Sequence, residues 1–243
     1  MLVDLHTHTW PASQCSEIRH DEYVERCAAL GVAAIALTNH GSIRDNLALA
    51  PRLAELGVVL LSGVEISTIL GDFIVYSPDL EFLDSLHAEQ EPLHRREVPD
   101  HAAVVWAHPA AGGGRSGSSY YRGLEEMAAP LIDAVEVFNG NWPADRYVTA
   151  AERIAAGLAL PATGGSDAHT VAAIMRCATE VEIAVELDGG GTASTAALVA
   201  AIREGRVSPW RAPPAPRQTD RSTGRVRRSL LGRRRTGEER CES

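Results

Sequence analysis

The sequence predicts an α/β fold in which a parallel sheet closes into a barrel. Short apolar runs alternate with amphipathic helical segments about seven times within the 243 residues, and this alternation is typical of a parallel sheet. Polar residues follow several of the apolar runs, at the strand ends where barrel enzymes carry their chemistry. No apolar run reaches the roughly 18 residues needed to cross a membrane, so we expect a globular protein without membrane partners.

The first strand and the turn after it, residues 2–9, set the pattern. Apolar residues dominate the strand, which ends in His6-Thr7-His8. Residues i and i+2 of an extended chain project to the same side. Both imidazoles can therefore face one point in space, which is the arrangement that a metal ion requires.

The remaining elements are predicted from apolar runs and from helical spacing that stops at glycine. Tyr23, Val24, Cys27 and Leu30, for example, repeat at helical spacing before Gly31. The predicted helices are 21–30, 46–56, 144–156 and 195–204. Further strands are predicted at 33–37, 58–61, 72–76, 102–107, 134–138, 160–163 and 181–185.

Residues suited to metal or phosphate chemistry follow six of these strands. They are His6 and His8, His40, Glu65, His108, Asn139, and Asp167 with His169. Because parallel strands deliver their carboxyl ends to one end of a barrel, we expect these side chains to meet there. Glu136 alternates with Asn139 along its strand and is expected on the opposite face, either as a carboxylate behind the site residues or as a core carboxylate. His20, His87, His94 and His101 are expected at the surface.

The composition excludes several kinds of chemistry. All 23 basic residues are arginine, so Schiff-base formation, lysine bases, a P-loop and a carboxylated-lysine metal bridge are excluded. The four cysteines form no C-x-x-C pair, which argues against a zinc ribbon or a redox dithiol. Cys27 and Cys177 are interpreted as buried residues. Cys15 lies close to the histidine turn, but the sequence favours a role outside the site.

The charge divides the chain into an acidic body and a basic tail. The net charge is −9, yet arginines accumulate beyond Arg211. We predict one domain at 1–208 and a disordered Pro/Arg-rich tail at 209–243, since the tail has few large apolar residues. The tail offers a route to nucleic acid, although a solvated tail is favoured because the acidic body repels nucleic acid. The N-terminus has no signal-peptide pattern, so we expect a cytoplasmic location.

Five motifs in order resemble the PHP (polymerase and histidinol phosphatase) superfamily over roughly residues 1–205. They are Asp4-Leu5-His6-Thr7-His8-Thr9, Thr38-Asn39-His40-Gly41, Gly63-Val64-Glu65-Ile66-Ser67, Ala107-His108-Pro109 and Gly165-Ser166-Asp167-Ala168-His169. The resemblance implies a distorted (β/α)7 barrel, two or three bound metal ions and, usually, phosphoester hydrolysis.

The resemblance also implies a set of metal ligands. His6 and His8 would bind the first metal with Asp167, and Glu65 would bridge two metals. The remaining positions would be completed by His108, His169, His40 and Asp72. Two departures from the family pattern stand out. Asn39 replaces the usual Asp and is expected to orient His40 by a hydrogen bond, and the loop 13–16 lacks the usual Asp or His ligand.

These residues suit Zn²⁺, Mn²⁺ or Fe²⁺. The predicted activity is cleavage of a phosphomonoester of a small metabolite or nucleotide by a metal-activated water, with His40 or His169 protonating the leaving alcohol. Arg44, Arg115 and Asn139 are candidate substrate-binding residues. The alternatives are a phosphodiesterase or exonuclease acting on nucleic-acid ends, a non-catalytic metal-binding module, and an amidohydrolase-like barrel in which Glu65 replaces the lysine bridge.

Overall fold

In a computed structural model, the described residues are 1–86, 98–111, 124–184 and 191–213. The strands within these ranges are β1 (Leu2–Val3), β2 (Ala34–Leu37), β3 (Val59–Thr68), β4 (Gly71–Tyr76), β5 (Ala103–Trp106), β6 (Ala134–Asn139), β7 (Ala162–Gly165), β8 (Cys177–Val181) and β9 (Val207–Arg211). One sheet has the order β2-β3-β4-β5-β6-β7, and a smaller sheet has the order β1-β8-β9.

The N-terminal segment closes the larger sheet into a barrel. The amide of Thr38, just after β2, donates to the carbonyl of Thr7 at 3.0 Å. On the other side, the amide of His8 donates to the carbonyl of Ala168, just after β7, at 3.1 Å. The segment that carries the two histidines therefore lies between β2 and β7. This arrangement confirms the predicted α/β barrel and brings the first and last site motifs together.

The helices pack against this barrel through apolar side chains. They are α1 (His20–Leu30), α2 (Arg44–Ala54), α3 (Leu80–Asp84), α4 (Glu125–Ala128), α5 (Asp145–Leu158) and α6 (Thr192–Arg203). Helix α1 ends at Gly31, as predicted, with a φ of 63° that glycine adopts without steric cost. In the described part of the chain, no helix has the length and apolar character needed to cross a bilayer.

The prediction of a wholly parallel sheet is wrong at β4, which runs antiparallel to both β3 and β5. Only Ile69 and Leu70 connect β3 to β4, and so short a connection allows a hairpin but no crossover. Strand β3 is also longer than predicted, so Glu65 lies inside it rather than in a loop. Because β4 is reversed, its first residues, including Asp72, lie at the same barrel end as the carboxyl ends of the parallel strands.

The C-terminal strands also differ from expectation. The strand predicted at 181–185 is instead β8, four residues earlier, where it pairs with β1 and β9. Strand β9 includes residues 209–211, which the sequence analysis assigned to the tail, because these residues pair with β8. The tail prediction otherwise falls beyond residue 213 and lies outside the described residues.

Candidate metal centre

Two buried carboxylates form the centre of the site, Glu65 in β3 and Asp167 just after β7. The Nε2 atom of His6 lies 3.4 Å from Oε2 of Glu65 and 3.5 Å from Oδ1 of Asp167. The Nε2 atom of His8 lies 3.3 Å from the same two oxygens. The predicted pair of imidazoles therefore faces one point between the two carboxylates.

Three further imidazoles surround these carboxylates. The Nδ1 atom of His40 lies 3.2 Å from Oε2 of Glu65, and Nε2 of His108 lies 3.3 Å from its Oε1. The Nδ1 atom of His169 lies 3.4 Å from Oδ1 of Asp167. Residues from five separate segments of the sequence thus converge, as the strand-end argument predicted.

Asp72 lies at the edge of this cluster. Its Oδ2 atom is 3.9 Å from Nδ1 of His108, and its Oδ1 atom accepts a hydrogen bond of 2.6 Å from the hydroxyl of Ser67. The reversal of β4 explains how Asp72, at the start of its strand, reaches the cluster.

Glu136 is a buried acceptor behind the cluster. Its Oε1 atom is 3.0 Å from Nδ1 of His6, and its Oε2 atom accepts bonds from the amide of His108 at 3.0 Å and from Nδ2 of Asn139 at 2.8 Å. The predicted opposite face is wrong because β6 contains a register shift between Glu136 and Phe138. This bulge reverses the alternation, so Glu136 and Asn139 point to the same side.

Gly165 makes the contact between His6 and Glu136 possible. A Cβ atom at Gly165 would lie 2.3 Å from Cβ of His6 and 2.6 Å from Oε1 of Glu136. Both distances are far below van der Waals contact. Position 165 of the Gly-Ser-Asp motif therefore requires glycine, because the barrel wall passes too close to His6 to leave room for a side chain.

Asn39 acts through Ser13 on the ring of His8 and on the backbone of His40, whereas the sequence suggested a direct hydrogen bond that orients His40. Its Oδ1 atom accepts bonds of 2.8 Å from the amide of Thr9 and from the hydroxyl of Ser13. The Ser13 oxygen in turn lies 3.2 Å from Nδ1 of His8 and accepts a 3.1 Å bond from the backbone amide of His40. Since the Ser13 proton is used on Asn39, the proton between Ser13 and His8 belongs to Nδ1 of His8.

The same network continues away from the cluster to a further buried carboxylate, Asp45. The Nδ2 atom of Asn39 donates to the hydroxyl of Thr9 at 2.9 Å, and that hydroxyl donates to Oδ2 of Asp45 at 2.8 Å. Asp45 also lies 3.1 Å from Nε2 of His20. His20, expected at the surface, is therefore half-buried against this network.

The arrangement fits a bound cation. His6 and His8 each present a protonated Nδ1 to an outer acceptor, which leaves the lone pair of Nε2 facing carboxylate oxygens. Both Nε2 atoms are buried and lack a hydrogen-bond partner. Within the described ranges, three groups could hold a metal ion, namely His6 with His8 and Asp167, His6 with Glu65 and His108, and His8 with His40 and His169.

Electrostatics lead to the same conclusion. Burial by itself lowers the pKa of His6, but the neighbouring carboxylates, chiefly that of Asp167, outweigh burial and raise this pKa well above its usual range. Burial raises the pKa of Glu65, yet the imidazoles, above all His6, hold it well below its usual range. These carboxylates thus stabilise positive charge at the centre, whether that charge is a proton or a metal ion.

The backbone is strained at two residues of the cluster. His108 has a φ of 30° and Asp167 a φ of 50°, and both are non-glycine residues in the left-handed region. Such strain persists only where the surrounding structure enforces it, and it is concentrated at functional sites.

Comparison with known families identifies this arrangement. A model for the PHP domain matches residues 4–111, and a model for the PHP-associated region matches residues 146–207. The chain belongs to the PHP superfamily. The two matches cover each predicted site motif and most of the described barrel. A search of curated proteins gave no match.

Solved structures share the PHP fold at low sequence identity. PsfC from Pseudomonas syringae PB-5123 is 19% identical, with a TM-score of 0.63 over 87% of this chain and 91% of that one. A two-domain protein from Bacteroides vulgatus, described as containing a predicted PHP-like metal-dependent phosphoesterase, is 18% identical, with a TM-score of 0.60 over 86% of this chain and 64% of its own. An amidohydrolase from Chromobacterium violaceum is 18% identical, with a TM-score of 0.50 over 69% of this chain and 87% of that one.

The candidate metal centre opens into a cavity of about 540 Å³. Its described lining consists of Ala12, Gln14, Cys15, His40, Glu65, Ser67, Asp72, His108, Asn141, Trp142, Asp167 and His169. Arg44 is exposed and is not part of this lining. Asn139 is also absent from the lining because its side chain bonds Glu136 and, at 3.3 Å, Asp167. Arg115 lies outside the described residues.

Sequence analysis did not assign roles to several residues that the fold places at the PHP centre. Glu136 was expected only as a carboxylate behind the site or in the core, and not as the partner of His6; its one signal was a single acid within the apolar strand Ala134-Val135-Glu136-Val137-Phe138. Ser13 and Asp45 had none, because their roles depend on contacts between distant segments. Trp142 and Asn141, in the loop after β6, line the cavity although no pattern marked them individually.

Proposed function

We propose that this PHP protein is a metal-dependent phosphoesterase that hydrolyses a phosphomonoester of a small metabolite or nucleotide. The observation that carries the proposal is the pair of carboxylates, Glu65 and Asp167, ringed by imidazoles in the wall of a cavity. A volume of about 540 Å³ suits a small ligand. Among the described lining residues there is no arginine, whereas nucleic-acid surfaces rely on basic contacts to phosphates.

We further propose that the centre holds two or three divalent ions, of zinc, manganese or iron. Glu65 would contribute to two positions, because its Oε2 atom faces His6 and His8 while its Oε1 atom faces His108. When bound, such ions lower the pKa of a coordinated water and offset the charge of the phosphate. The acidic cluster would otherwise repel a phosphorylated substrate.

His40 and His169 are the candidates for protonating the leaving alcohol. Their side chains are 32% and 27% exposed, the largest exposed fractions among the imidazoles of the cluster. Exposure allows each to recover a proton from solvent after donating one. The sequence analysis also made His40 and His169 candidate metal ligands. A single imidazole nitrogen cannot bind a metal ion and donate a proton at the same time.

Contacts with the rest of the substrate are a separate proposal. Trp142 and Asn141 line the cavity, and we propose that they contact the part of the substrate that carries the phosphate. Arg115 remains a predicted substrate-binding residue. Arg44 could contribute only if the substrate extends beyond the described cavity. Nucleic-acid binding through the basic tail stays a prediction.

The proposal is tested by measuring metal content and the hydrolysis of a generic phosphomonoester and a generic phosphodiester, with added Mn²⁺ or Zn²⁺. The wild-type protein should cleave the monoester. Asp167→Asn preserves shape but removes one charged ligand, so it should abolish cleavage and reduce bound metal. Asp145→Asn, on an exposed residue at the start of α5, is the matched control and should change neither.

Three outcomes would contradict the proposal in different ways. Cleavage of the diester alone would favour a phosphodiesterase or exonuclease. Bound metal without cleavage of either ester would favour a non-catalytic metal-binding module. Full activity in Asp167→Asn would remove the assignment of the site.

A further inference from the structure

Cys15 lies against the metal cluster, in the loop where the sequence analysis found no strong ligand. Its sulfur is 3.2 Å from Nε2 of His169, and both residues line the cavity. Cys15 is exposed, whereas Cys27 and Cys177 are buried. Of the described cysteines, Cys15 therefore combines solvent access with contact to a site histidine.

The protonation state of His169 determines what faces this sulfur. The Nδ1 atom of His169 lies 2.8 Å from the backbone carbonyl of Asp167, and a carbonyl only accepts hydrogen bonds. Nδ1 therefore carries the proton, and Nε2 presents its lone pair to the sulfur of Cys15. A lone pair and a sulfur at this distance share either the thiol proton or a cation.

A second, independent feature favours a cation. His8, His40 and His169 each offer a ligand atom, and these atoms lie within 4.8 Å of one another. The Nε2 atom of His8 is buried and has no hydrogen-bond partner. A simple hydrogen bond between Cys15 and His169 would leave this nitrogen unsatisfied, whereas an ion in this part of the cluster would bind it.

We propose that Cys15 is a metal ligand, supplying a thiolate to an ion held among His8, His40 and His169. This inference rests on the metal centre of the proposed function but not on the reaction. On binding, the thiol proton is released to solvent. A sulfur donor favours zinc or iron(II) at this position over magnesium or manganese. It would also occupy Nε2 of His169, so this imidazole would not be the proton donor to the leaving alcohol.

The test is cobalt substitution of the full-length protein, with near-ultraviolet absorption and cobalt stoichiometry as readouts. Thiolate bound to Co²⁺ gives a sulfur-to-metal charge-transfer band that imidazole and carboxylate ligands do not give. The wild-type protein should show this band. Cys15→Ser should lose the band and one bound ion per chain. Cys15→His should lose the band but retain the ion, and Cys27→Ala, which removes a buried thiol, should retain both.

Several results would overturn the proposal. These are a cobalt-loaded wild-type protein without the band, a band that persists in Cys15→Ser, or a protein that binds no cobalt. Absence of the band in the wild type is decisive by itself, so the proposal can be overturned even if a variant folds poorly. Hydrolysis is measured separately. A band without hydrolysis would support the ligand and refute the phosphoesterase, and hydrolysis without the band would do the reverse.

Discussion

Replacing Glu136 with Gln should weaken metal binding although Glu136 is not itself a proposed ligand. Its two oxygens accept from three donors, Nδ1 of His6, the amide of His108 and Nδ2 of Asn139. A glutamine must place its NH₂ group at one of these oxygens. At Oε2 the NH₂ would face two donors. At Oε1 it would force the proton of His6 onto Nε2, which is the nitrogen that faces the cation position.

The expected loss follows from the cost of disturbing an acceptor behind a metal-bound histidine, which is about 10- to 100-fold in metal affinity. This corresponds to roughly 1.4–2.7 kcal/mol. The assay is a zinc titration of the metal-free protein against a competing chelator, with circular dichroism to confirm folding. Glu152→Gln, on an exposed face of α5, removes the same charge and should leave the affinity unchanged. An affinity of Glu136→Gln within about twofold of wild type would refute the reasoning.

Three further predictions concern the same cluster. Gly165→Ala forces its new Cβ against His6, so a thermal melt should show that the free energy of unfolding falls by at least about 1–3 kcal/mol. An unchanged melting temperature would contradict the clash. Ser13→Ala removes the acceptor for Nδ1 of His8, so a zinc titration should show zinc affinity reduced by up to about tenfold. An unchanged zinc affinity would show that this hydroxyl does not support metal binding by His8. Carboxylates outweigh burial and raise the pKa of His108 to about 9 from 6.5. Protonated His108 therefore stabilises the metal-free protein fully below pH 6.5, and about 3 kcal/mol of this stabilisation is lost by pH 9. Urea unfolding at both pH values will measure the difference, and equal stability at both would contradict this prediction.

The sequence was most informative for side chains whose position follows from the end of a strand. His6, His8, His108 and Asp167 lie at or just beyond strand ends, so knowing the strands was enough to predict that they meet. Glu65 was predicted for the right cluster but with the wrong local structure, because β3 continues through it into a hairpin. Neither the hairpin nor the reversal of β4 is encoded by apolar periodicity, which does not report strand direction.

The outer shell could not be predicted for a different reason. The bulge in β6 shifts Glu136 to the inner face, and a bulge depends on how β6 pairs with β7 rather than on the residues of β6 alone. The contact of Cys15 with His169 joins residues 154 positions apart through the conformation of a loop. Such contacts are set by tertiary packing and leave no local pattern.

Asn39 shows how a departure from the family pattern is compensated within this chain. Its Nδ2 atom lies 3.4 Å from Oδ2 of Asp45, a carboxylate that is 1% exposed. An aspartate at position 39 would place two buried carboxylates in contact, whereas the amide donates toward Asp45 and still accepts from Ser13 and Thr9. The negative charge of the network is thus carried at position 45 instead of 39. Asn39→Asp should therefore destabilise the protein by about 1–3 kcal/mol.

Adding Asp45→Asn to Asn39→Asp should recover part of that loss, because it restores one amide and one carboxylate to the pair. Urea unfolding of the wild type, the two single variants and the double variant measures this coupling directly. Additive losses would show that Asn39 and Asp45 are independent. A positive recovery would show that residues 39 and 45 are coupled and that this network is most stable with one amide and one carboxylate.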